Sequence, residues 1–126
     1  MAVRVIEGIL FEDGGGTNLA RVTNYSGTNI TQASLSSIYY SVFDMTTSQV
    51  IVASTQLTIA NVVFDTLQTA SIWTIDSTGY NFRHDFPASA IPEGDHEYRF
   101  EYKFTPGSGE VFWQPFKIIT LPIYTS

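Results

Sequence analysis

The sequence predicts an all-β fold: one antiparallel β-sandwich of about seven to nine short strands. Three observations carry this. Residues 97–104 alternate apolar and charged side chains without a break. Clusters of Gly, Pro, Asp and Ser recur at roughly 8–12-residue spacing, as strand-connecting turns do. Polarity comes from 15 Thr and 12 Ser rather than from charge, and Thr suits a pleated surface while both suit turns. At 126 residues, 44% of them apolar, there is enough chain for one core and no linker to divide it, so residues 1–126 read as a single domain.

Along the chain, Val3 to Phe11 and Leu19 to Thr23 supply the first two strands, split by Glu12-Asp-Gly-Gly-Gly16. Residues 1–17 read either as an extended first strand or as an arm. Ser37 to Phe43 alternates next, with Ile38, Tyr40 and Val42 inward. Asp44 to Ser48 turns it into Gln49–Ala53, and Leu57 with Ile59 marks a short strand. Between Ile59 and Gln68, apolar residues bunch near helical spacing, but the β-branched ones argue against a helix. That stretch reads as a loop with room for one helical turn. Ala70 to Ile75 is expected as a strand and Asp76 to Gly79 as a turn. Tyr80, Phe82, His84 and Phe86 then fall in phase on one strand.

The last hairpin is the clearest. Tyr98, Phe100, Tyr102 and Phe104 share one face, while Glu97, Arg99, Glu101 and Lys103 share the other. That is the pattern of a half-buried antiparallel strand. Thr105-Pro-Gly-Ser-Gly109 turns the chain into Glu110 to Leu121, where Pro115 demands a bulge or an edge position. Tyr98 also precedes inward Phe100 by two residues, the spacing of the tyrosine corner of immunoglobulin-like sandwiches. Tyr98 is either such a corner or simply the first core aromatic of its strand. The expected class is therefore an immunoglobulin-like β-sandwich.

Charge narrows the partners. The net charge is −6, and the six basic residues are scattered singly, so nothing gathers phosphates from nucleic acid or an anionic membrane. No run approaches 18 apolar residues, and Met1 to Phe11 carries a Glu and a Gly within its apolar stretch, unlike a signal peptide. There is no cysteine, hence no disulfide or thiolate site.

Chemistry-bearing patterns are thin. His84 belongs to an apolar stripe and His96 to the acidic turn Glu93-Gly-Asp-His-Glu97, without the HxH or HxxxH spacing that starts a zinc site. Gly107-Ser-Gly109 is a hairpin turn, not a nucleophile elbow, and Asp13-Gly-Gly-Gly-Thr17 lacks the Lys and the following helix of a phosphate cradle. Acids in the turns (Asp13, Asp44, Asp76, Glu93, Asp95) leave a structural Ca²⁺ conceivable, but form no Asp-x-Asp-x-Asp loop. No catalytic residue, cofactor or metal is expected, and the chain reads as a non-enzyme.

The aromatics say more. With Tyr40 and Val42 inward, Tyr39 and Phe43 face out; Phe112, Gln114 and Phe116 share a face that leaves Trp113 on the opposite one. Outward aromatics on neighbouring strands would form an apolar patch, which serves as a subunit interface, is covered within the fold, or stacks on sugar. Val3, Val5 and Ile6 join Tyr39, Phe43 and Trp113 as interface candidates, through addition of the Val3–Phe11 strand to a neighbour's sheet edge.

Two stretches carry a resemblance. Ile30-Thr-Gln-Ala-Ser-Leu-Ser-Ser-Ile-Tyr-Tyr-Ser-Val-Phe-Asp44 resembles the opening strand of small immunoglobulin-like modules in phage and prophage structural proteins. Pro92 to Phe112 is similar to their closing hairpin, with a Gly-x-Tyr strand, a Gly turn and a final strand, as in the N-terminal domain of phage baseplate upper proteins. The resemblance implies a non-enzymatic structural element of a capsid, head–tail connector, tail or baseplate. It would be made in the host cytoplasm without a signal peptide and built into the virion, with itself or a larger virion protein as partner. The alternative is an extracellular carbohydrate-binding or adhesive module using Tyr39, Phe43 or Trp113.

Overall fold

The computed structural model describes residues 5–124. Eight strands form two sheets: β1 (Ile6–Phe11), β2 (Gly16–Ala20), β3 (Leu35–Asp44), β4 (Gln49–Leu57), β5 (Val63–Gln68), β6 (Tyr80–Phe86), β7 (Glu97–Pro106) and β8 (Phe112–Leu121). A single helical turn, α1 (Ile59–Val62), separates β4 from β5. The five-stranded sheet has the order β1-β8-β7-β3-β4, and the three-stranded sheet the order β2-β6-β5. The two sheets pack over one core, so the fold is an all-β sandwich.

The inner faces follow the sequence period. Tyr98, Phe100, Tyr102 and Phe104 are fully buried, as are Ile38 and Val42 on β3. Tyr80, Phe82, His84 and Phe86 present the opposing face from β6. The rings interlock across the sheets: Phe82 lies edge to face 4.8 Å from Tyr102 and 5.6 Å from Phe104, and Phe86 lies tilted 4.6 Å from Phe100. Each such aromatic contributes roughly 2–3 kcal/mol of apolar burial, which makes β7 and β6 the backbone of the core. At the foot of β7, the Tyr98 hydroxyl accepts the Glu93 amide at 2.9 Å and lies 3.4 Å from the Glu93 carbonyl. The tyrosine-corner contact is therefore present.

The observed elements depart from the expected ones most clearly in three places. Residues 70–75 form no strand, because the Asp76 carboxylate gathers the Trp73 indole, the Thr78 and Gly79 amides and Arg21 into a closed loop. β5 lies where a loop was expected. It pairs with β6 at Val63↔Phe82 and Gln68↔Tyr80, with an irregularity between, so its sequence shows no clean alternation. β1 runs parallel to β8, with Ile6 beside Phe116 and Phe11 beside Leu121, so the sandwich is not purely antiparallel. Pro115 takes the edge position of its two expected alternatives rather than the bulge, since the β7–β8 register is continuous. β1 reaches β8 only from Phe116 onward, which leaves Pro115 at an edge among the described residues.

Gly79 shows how tightly the loop returns to β6. Its φ of +106° is open to glycine, and a Cβ there would clash with the Gln68 carbonyl oxygen.

Candidate interaction surface

The outer face of the five-stranded sheet is built from alternate residues of β8, β7 and β3. Lys103 lies between Trp113 and Tyr39, Glu101 between Pro115 and Ser41, and Arg99 between Lys117 and Phe43. Tyr39 and Phe43 are half-buried by these neighbours, while Trp113 remains 47% exposed with the Lys103 ammonium 5.8 Å from its ring centre. The three expected aromatics thus share one face, yet the charges of β7 run between them and they do not merge into one apolar patch.

The N-terminal candidates separate. Val3 lies outside the described residues. Val5 is exposed, while Ile6 opens β1 half-buried, with its side chain packed against the core and lining the groove described below. The strand-addition idea changes too: Ile6–Phe11 already pairs with the chain's own β8. Contiguous exposed apolar surface appears instead on the outer side of that pair, where Ile9 (66% exposed) and Phe11 (59%) adjoin Ile119 and Leu121. Alternation within Glu7-Gly-Ile-Leu-Phe11 held this signal, because every second residue from Glu7 faces outward.

Beside this face a groove of about 1120 Å³ opens between β1 and the edge of β2. Its walls include Val5, Leu19, Tyr25, Ile72, Trp73 and Val111. Most polar side chains along it already have partners: Thr17 donates to Asp85, Asn18 to the Tyr102 hydroxyl, and Arg21 to Asp76 and the Gly79 carbonyl. Asp76 accepts hydrogen bonds from Trp73, Thr78, Gly79 and Arg21, which hold its carboxyl far below the usual range. Apolar walls with occupied polar groups suit a protein segment better than a sugar, which needs free planar donors and acceptors.

Both histidines have structural company. Burial pulls His84 down to about 4, so the ring is neutral at pH 7, and its Nδ1 lies 2.7 Å from the Tyr102 hydroxyl. With that hydroxyl accepting from Asn18 and donating to Nδ1, the ring proton belongs on Nε2 and the network is satisfied. His96 Nδ1 lies 2.7 Å from Asp44, whose other oxygen accepts the Thr46 and Thr47 amides. Asp44 is buried at the end of β3. Burial raises its carboxyl, but these hydrogen bonds and the His96 contact together outweigh that and lower it. The phase Ile38, Tyr40, Val42 extends to Asp44, so alternation already pointed it inward. Among the described residues, no three His, Asp or Glu side chains gather as a metal-ligand set.

Searches against family models, curated proteins and solved structures find no match to this chain.

Proposed function

We propose that this chain is an immunoglobulin-like structural module that assembles with copies of itself, or with a larger protein, in a phage or prophage-derived particle. The observation that carries the reading is exposed apolar surface, Ile9, Phe11 and Leu121 above all, gathered at one end of the β1–β8 pair beyond the Glu7–Lys117 ion pair. Strand order supports the immunoglobulin-like class. β2-β6-β5 matches the B-E-D sheet, β8-β7-β3-β4 matches G-F-C-C′, and Tyr98 makes the corner contact on the strand equivalent to F. The resemblance of residues 30–44 and 92–112 to phage modules supplies the particle.

The acidic balance, net −6, keeps free subunits apart in solution until partners bury the apolar face. Density-gradient fractionation of particles from a culture encoding the chain tests this reading. The chain is expected to band with particles at a fixed copy number through repeated gradients. A chain found wholly in the unassembled fractions would refute it.

A further inference from the structure

The outward residues of β7 read Glu97, Arg99, Glu101, Lys103: negative, positive, negative, positive. Reversed end for end, such a row presents the opposite sign at every position. A twofold axis lying in the interface and crossing the strands at the level of Phe100 would place β7 antiparallel on β7 of a second copy. Glu97 then meets Lys103 of the second copy, and Arg99 meets Glu101.

The neighbouring strands obey the same axis, because Phe116 on β8 and Val42 on β3 are level with Phe100. On β8, Ile119 meets Trp113 and Leu121 meets Val111, the residue just before the strand. On β3, Tyr39 meets Met45, which follows the strand and whose amide bonds the Glu97 carbonyl. Trp113, Leu121, Val111 and Met45 are each more than 40% exposed as the chain stands. A sign-alternating strand by itself suits a solvated face. Here the apolar residues toward both ends of the neighbouring strands follow the same twofold as the charges, which solvation does not require, while next to the axis Lys117 meets Pro115 and Phe43 meets Ser41.

We propose that the outer face of β8-β7-β3 is a twofold docking surface for a second copy of this chain. The proposal rests on the self-assembling reading given above and names its surface. Contacts within the chain engage these charges only loosely: Arg99 and Glu101 are 3.5 Å apart and Lys117 and Glu97 3.8 Å, both longer than a charge-assisted hydrogen bond, and Lys103 lies 5.8 Å from the Trp113 ring centre. A closed twofold pairing has the further property that each contact occurs twice, so a single like-charge replacement is felt twice.

Sedimentation velocity on the intact chain tests it. The wild type is expected to dimerise reversibly, more weakly as salt rises. Lys103→Glu and Glu97→Lys should each raise the dissociation constant on the order of tenfold or more. An equimolar mixture of the two variants should associate again, since every 97–103 contact in the mixed dimer joins opposite charges. Lys103→Gln and Glu97→Gln, which only neutralise, should weaken dimerisation less than the reversals do. Thermal melts close to wild type are expected throughout, because these side chains point away from the core. A wild type that stays a 14.0 kDa monomer at millimolar concentration, single variants that dimerise unchanged, or a mixture that stays monomeric would each overturn the proposal. Any of these, found alongside a chain that still bands with particles, would remove this face and leave the particle reading standing.

Discussion

Tyr102 ties the two sheets together in the core. Its ring meets Phe82, Phe116, His84 and Tyr40, while its hydroxyl joins Asn18 and His84, and burial raises that phenol well above its ordinary range. The neutral His84 beside it makes stability depend on pH. The unfolded chain takes up a proton near 6.5, but the folded one resists until about 4, so acidification between those values favours the unfolded state. Stability is therefore present above pH 6.5 and falls by roughly 3 kcal/mol as the pH drops to 4. Urea titrations across that window should show the loss, and His84→Gln should flatten it. A wild-type curve already flat there would contradict a buried neutral imidazole. Tyr98→Phe isolates the corner contact: leaving the Glu93 amide without its acceptor should cost about 1–3 kcal/mol by urea denaturation. How much of this the residues announced varies. The spacing of Tyr98 and Phe100 disclosed the corner, and the stripe Tyr80-x-Phe-x-His-x-Phe86 disclosed a buried His84. Asn18 gave no such sign, because its partner Tyr102 lies 84 residues away and only the packing of two sheets brings them together.

β3, β6 and β7 were legible because each buries one face, and that turns the pleat into a written alternation. Where an element is held by something other than its own period, the pattern misleads. The segment 70–75 looks like a strand, yet Trp73 bonds back to Ala70 and onward to Asp76, and the chain closes into a loop. Asp76→Ala should release that loop: faster amide exchange at Thr78 and Gly79 and altered Trp73 fluorescence, with β7 amides unchanged. Equal protection at Thr78 and Gly79 in wild type and variant would contradict the role given to Asp76. Gly79→Ala acts at the same junction and should cost about 2 kcal/mol or more, since the residue meets both a positive φ and the Gln68 carbonyl. β4 is a different case. Residues 45–64 contain no charge, and sequence alone would mark this edge as exposed to pairing with other chains. The register shifts between β3 and β4 twist that edge, a protection that no local pattern reveals.

At the scale of the molecule, the composition and the turn spacing foretold two packed sheets, but not which strands share them. β1 and β2 are separated by only four residues and still belong to different sheets, with β1 parallel to β8 more than a hundred residues later. That crossing places Ile9 and Phe11 beside Ile119 and Leu121 and opens the groove next to β2, so this exposed apolar surface arises from a pairing invisible in the chain's local periods. The aromatics chosen from alternation did face outward, but the charges of β7 divide them, and only the two-dimensional layout of the sheet shows the twofold match between rows. The proposed function makes this a small sandwich packed against its neighbours in a particle. Electron cryomicroscopy of purified particles from a culture encoding the chain tests that most directly. The account predicts symmetry-related density for a two-sheet domain whose contacts include Ile9, Phe11 and Leu121. Complete, well-resolved particles with no density into which this sandwich fits would contradict it.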